Sequence, residues 1–109
     1  MCRPQVFPCG YAHCMYNRRV WIEFDPMKNR LNRAKHRIDL SDAEPVLRDP
    51  QAITIEDASH DEARWIAMGI DALGRLLVVV YTWRGEATIR IISARHANAR
   101  ERECYEAGL

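Results

Sequence analysis

The sequence predicts one α+β domain: a mostly antiparallel sheet of four to five strands, two N-terminal helices and a C-terminal helix, with the helices gathered on one face of the sheet. Three observations lead there. Five short segments carry strand patterning. The last three of them follow one another through tight-turn signals, as a meander does. Helix signals stand between the first and second segments and again after the fifth. A chain of 109 residues holds one domain of ordinary size. With 48% hydrophobic and 28% charged residues, it lies too close to globular averages for general disorder.

Residues 1–18 read as a loose N-terminal extension to a single domain over 19–109. Within the extension, Cys2, Cys9, His13 and Cys14 offer thiolates and an imidazole. Their spacing lacks the Cys-x2-Cys knuckle of structural zinc sites, so no metal or other cofactor is expected. Arg19 to Phe24 alternates as a short strand. Asp25-Pro26 then opens a helix, Asp as N-cap and Pro at the first helical position, where its missing N–H costs nothing. Met27, Leu31, Ala34 and Ile38 recur at spacings of four, three and four, which predicts an apolar stripe toward the core and a basic outer face. Ser41-Asp-Ala-Glu44 matches a capping box for a second helix. Pro45 removes a donor and turns Glu44 from helical angles, so that helix should be short or irregular.

Asp49-Pro50 signals a turn, and Ala52 to Glu56 alternates as a strand. After a polar loop over 57–63, Arg64, Ile66, Met68 and Ile70 share one side of the next strand, with Trp65, Ala67 and Gly69 on the other. Asp71 to Gly74 is a hairpin turn. Arg75 to Trp83 is apolar on both faces, as a central strand would be. Arg84-Gly85-Glu86 turns the chain into the strand Ala87 to Arg95. A closing helix from about Ala97 to Ala107 has few apolar positions, chiefly Ala97, Cys104 and Tyr105.

The formal charge of +1 hides a strong asymmetry: +6 over residues 1–38, −7 over 39–62 and +2 over 63–109. A basic N-terminal third can serve phosphates despite the neutral total. Fourteen of the sixteen basic residues are Arg, the side chain suited to bidentate phosphate contact. The longest strongly apolar run, Leu76 to Tyr81, is far too short for a membrane span, and no secretory signal opens the chain. The cytoplasm is the expected compartment, where four cysteines are not a disulfide framework.

No Gly-rich phosphate loop, His-Glu-x-x-His or Gly-x-Ser-x-Gly is present, so any chemistry rests on dispersed residues. Cleaving RNA without a metal needs a base for the 2′-hydroxyl proton, cations for the pentavalent phosphorane and an acid for the leaving 5′-oxygen. Lys35-His36, the loop His60-Asp61-Glu62, Arg64, Arg90 and Arg95 could supply those roles. Cations projecting from otherwise apolar strands need a reason or a carboxylate partner, which singles out Arg64 and Arg90. Lys35 and His36 also fit a plain solvated helix end, and His60 a plain exposed loop. Regular alternation puts Arg90 and Arg95 on opposite sides of their strand, so only a bulge or the strand's end could aim both at one site.

Several blocks together resemble the BrnT toxins of bacterial type II toxin–antitoxin systems: Phe24-Asp-Pro, Asn32-x-x-Lys35-His36, Asp49-Pro50, Arg64-Trp-Ile-Ala-Met-Gly69, Gly74 to Thr82, and Arg90-Ile-Ile-Ser-Ala-Arg95. The resemblance covers roughly residues 21–107. It implies a RelE-like fold and an endoribonuclease that arrests translation. It further implies neutralisation by a BrnA-type ribbon-helix-helix antitoxin, with the complex repressing its own operon, so that operator DNA is met only through the antitoxin. Carried over by position, Lys35, His36, Arg64 and Arg90 are the expected catalytic residues. Arg30, Arg33 and Arg95 are expected to bind RNA, and Glu56 and Glu62 are the acid/base candidates. Arg37 stands where the family usually has Gly, Ala63 where a Glu is common, and Pro45 interrupts the second helix. These departures raise the alternative of a weakened enzyme, or of a non-catalytic RNA-binding or co-repressor module.

Overall fold

A computed structural model describes residues 20–57 and 62–108. The N-terminal extension, its cysteines and His60-Asp61 lie outside the described residues. The elements are β1 (Trp21–Phe24), α1 (Pro26–His36), a 3-10 helix (Leu40–Arg48), β2 (Ile53–Asp57), β3 (Arg64–Ile70), β4 (Leu76–Trp83), β5 (Thr88–His96) and α2 (Ala99–Glu106). The five strands form one sheet in the order β1-β5-β4-β3-β2. The β2–β3, β3–β4 and β4–β5 pairs are antiparallel, and β1 joins the far edge parallel to β5. No described helix is long and apolar enough to cross a membrane.

β4 is central, as its two apolar faces require. Its odd residues Leu77, Val79 and Tyr81 join Ala67, Ile89, Ile91 and Ala94 on the inner face, sealed by Ile38, Leu40, Ala43, Val46 and Leu47 around the 3-10 helix. Its even residues Leu76 and Val78 join Met68 on the outer face, where Tyr105 of α2 packs. The helices therefore do not share one face: α2 crosses to the other side, because Ile53, Ile66 and Ile70 offer it an apolar seat there. Tyr105 completes the contact by donating its hydroxyl to Asp49 Oδ2 at 2.6 Å. Burial, reinforced by that bond, pushes the phenol up to about 12.

Asp25 caps α1 by accepting from the Met27 N–H, with Pro26 at the first helical position. The expected apolar stripe, however, is turned outward. Met27 is 54% and Leu31 61% exposed, whereas Asn29 and Asn32 are buried. The reason is backbone that needs partners. β1 ends opposite Ile91, and beyond it the Asn32 amide donates to Ala94 O while its Oδ1 accepts from the Ala94 N–H. Asn32 also donates to Ile38 O, and Asn29 Oδ1 accepts from the Leu40 N–H. Alkyl side chains would have left these buried groups unpaired. Ile38 is fully buried, but it lies past the helix end.

The second helix is a 3-10 helix containing Pro45, and it starts at Leu40 rather than at the Ser41 capping box. Asp39 takes the capping role, accepting from the Ser41 N–H and hydroxyl. α2 has a capping box of its own, Asn98 with Glu101.

Candidate functional site

Arg64, Arg90 and Arg95 share the outer face of the sheet, and a bulge brings Arg95 there. Val80 lies opposite Ser93 and Tyr81 opposite Ile91, so Ile92 is an extra residue in β5. Alternation reverses across it. Thr88 and Arg90 before the bulge, and Ser93 and Arg95 after it, all fall on the outer side.

Across the sheet, Arg90 pairs with Thr82 of β4 on one side and Glu23 of β1 on the other. One position beyond the Trp65–Tyr81 pair brings Arg64 beside Thr82, and Arg64 pairs in turn with Asp57 of β2. One transverse row thus reads Asp57, Arg64, Thr82, Arg90, Glu23. Thr82 fixes the start of β3 by donating its hydroxyl to Ala63 O at 2.8 Å. Arg64 and Arg90 leave the sheet two strands apart, about 10 Å between backbones, within the joint reach of two guanidinium groups converging on one phosphate.

Each arginine of the row has a carboxylate neighbour. Arg90 Nε lies 2.9 Å from Glu23 Oε2. Arg64 Nε lies 3.7 Å from Glu62 Oε2, beyond hydrogen-bond length, and this buried nitrogen has no hydrogen-bond acceptor among the described residues. A buried donor left unpaired carries a cost that an incoming anion would relieve. α2 covers the outer face near Leu76 and Met68, while the Arg64–Arg90 row lies toward the opposite end.

The remaining expected residues are distributed more widely. Arg95 forks onto Glu101 through Nη1–Oε1 at 3.0 Å and Nη2–Oε2 at 2.8 Å. This bond lowers the Glu101 pKa and raises that of Arg95. Arg30 is exposed on α1, and Arg33 pairs with Asp39 at 3.1 Å. Exposed Lys35 and half-buried His36 stand in the last turn of α1, one turn past the Asn32–Ala94 contact. They are therefore near the Arg95 end of β5 rather than on the Arg64–Arg90 row. Glu56 pairs with Trp65 and so points to the inner side of the sheet; Glu62 adjoins Arg64. Glu23 was not anticipated. Its alternation with Ile22 and Phe24 marked it as outward-facing, but the parallel pairing that brings it to Arg90 joins segments 67 residues apart and leaves no local signal.

Comparison with known proteins agrees with this fold. Residues 24–101 match the model of the family described as the ribonuclease toxin BrnT of type II toxin–antitoxin systems. A 1.1 Å crystal structure of the Brucella abortus ribonuclease toxin BrnT is similar in fold, with a TM-score of 0.56 and 25% sequence identity, covering 72% of this chain and 97% of that one. No curated protein matches. The match spans every strand beyond β1, all of α1, the first turn of α2 and the arginines Arg64, Arg90 and Arg95, and the chain belongs to the BrnT family of type II toxin–antitoxin ribonuclease toxins.

Proposed function

We propose that the chain is a metal-independent endoribonuclease that cleaves RNA in the cytoplasm to arrest translation, with the scissile phosphate seated on the Arg64–Arg90 row. The observation that carries the site is the strand register that sets Arg64, Thr82 and Arg90 in one row, with the bulge at Ile92 adding Ser93 and Arg95 to the same face. In the reaction the 2′-oxygen attacks phosphorus as its proton leaves to a base, and the 5′-oxygen departs as it gains a proton. The products are a 2′,3′-cyclic phosphate and a 5′-hydroxyl. Arg64 and Arg90 neutralise the charge that builds on the non-bridging oxygens. Glu23 and Glu62, one beside each arginine, are the bases at hand for the 2′-hydroxyl. The carboxyl group that has taken the 2′-proton passes it to the departing 5′-oxygen, while Lys35 and His36, near the Arg95 end of β5, join Arg30, Arg33 and Arg95 in holding flanking phosphates of an RNA that runs along that strand.

A BrnA-type ribbon-helix-helix antitoxin neutralises the enzyme, and the complex represses its operon. Family membership supports an antitoxin partner. The carboxylates that engage Arg90, Arg64 and Arg95 favour a second reading, an RNA-binding module too neutralised to cleave. Incubating the purified protein with RNA in excess chelator separates the two: cyclic-phosphate ends support the enzyme, whereas salt-sensitive binding without product supports the module. Induced expression should arrest growth, and co-expression of the neighbouring antitoxin should relieve the arrest.

A further inference from the structure

Trp21 is 64% exposed, an unusual position for so large an apolar side chain. It lies in the edge strand β1, opposite Thr88. Ile22 and Phe24 of the same strand pack into the inner core, and Glu23 bonds Arg90 on the outer face, so alternation puts Trp21 on the outer face too. It stands two residues, about 7 Å, along β1 from the Glu23–Arg90 pair. The next row holds Arg84, whose N–H donates to Thr88 O at 2.7 Å. Among the described residues, the register neighbours of this indole are Thr88, Glu23 and the backbone level of Arg84, which are polar rather than the apolar neighbours of a protein-docking patch. Trp21 also lies outside the residues matched by the family, so family membership gives it no role.

We propose that Trp21 is a stacking platform for an unpaired base of the RNA substrate, next to the phosphate held by Arg64 and Arg90. An aromatic face beside a cationic row is how single-stranded nucleic acid is gripped, with the cations following the backbone and the ring taking a base of any identity. The inference rests on the ribonuclease reading and deepens it. Trp21 positions the strand; it does not touch the reacting atoms, so it acts on binding more than on the chemical step.

The test uses the full chain and a single-stranded 2′-deoxy oligonucleotide, which lacks the attacking hydroxyl. Binding should quench tryptophan fluorescence, and Trp21→Leu should abolish that quench and raise Kd about tenfold. Trp21→Phe should keep most of the affinity. On cleavable RNA, Trp21→Leu should raise KM and leave kcat unchanged. If Trp21→Leu binds and cleaves as the wild type does while Arg90→Ala is impaired, the stacking role is wrong and the ribonuclease site stands. If Trp21→Leu loses antitoxin affinity but keeps RNA affinity, the residue is a protein contact and the proposal is overturned. If Trp21→Leu, Arg64→Ala and Arg90→Ala all handle RNA like the wild type, both readings fall.

Discussion

Replacing Arg37 by Gly should stabilise the protein. Arg37 follows α1 at φ 61, ψ 32, in left-handed backbone, where its N–H donates to Arg33 O at 2.9 Å. An L side chain there crowds its own carbonyl by about 1–2 kcal/mol, a penalty that Gly lacks. Gly loses more chain entropy on folding, by about 0.4–1 kcal/mol, so the net gain should be about 0.5–1 kcal/mol. For a domain of this size that raises Tm by about 3–6 °C. The exposed Arg37 side chain forfeits little. Thermal unfolding and urea titration of Arg37→Gly and Arg37→Ala make the test. Ala removes the guanidinium but keeps the Cβ, so it should show no gain. A Gly variant no more stable than the wild type, or an Ala variant that gains as much, would refute the backbone argument.

On α1, Asn32→Leu should lose about 2–3 kcal/mol in urea unfolding, because it leaves Ala94 N–H, Ala94 O and Ile38 O without their partner; Leu31→Gln, at an exposed position, should change stability by less than about 0.5 kcal/mol. Gly69→Ala should destabilise by about 1–3 kcal/mol, since a Cβ there would meet Asp49 Oδ2 at 3.0 Å and Val46 O at 3.2 Å; equal stability would show that Asp49 gives way. Asp39 is held at about 2 rather than 3.8, first by the Ser41 N–H and hydroxyl and then by Asn29 and Arg33. Its lowered value makes its stabilisation complete above about pH 4 and lost as pH falls through 2, about 1 kcal/mol after solvent screening. Unfolding curves of the wild type and Asp39→Ala should therefore converge below that window.

Strands were legible because alternation, turn residues and Pro positions are local. β3 begins and ends where its pattern does, and Pro45 yields a 3-10 helix. The need for a bulge was legible too, since Arg90 and Arg95 could not otherwise share a face, although nothing local marks Ile92 as the extra residue. α1 misled because helical periodicity counts alkyl groups, whereas this helix buries two amides to satisfy the backbone of β5 and of the α1–3-10 connection. The side of the sheet taken by α2, and the meeting of Glu23 with Arg90, depend on which distant strand edges pair. No window of sequence holds that information.

The central claim is that Arg64 and Arg90 act together on one phosphate. Cleavage of a single-stranded RNA by the wild type, Arg64→Ala, Arg90→Ala and the double variant tests it, with circular dichroism to confirm that each folds. Each single change should lower kcat/KM by about a hundredfold or more. The double variant should lose much less than the product of the two, as groups serving one transition state do. Wild-type cleavage by either single variant, or fully multiplicative losses, would contradict a shared phosphate site on this row.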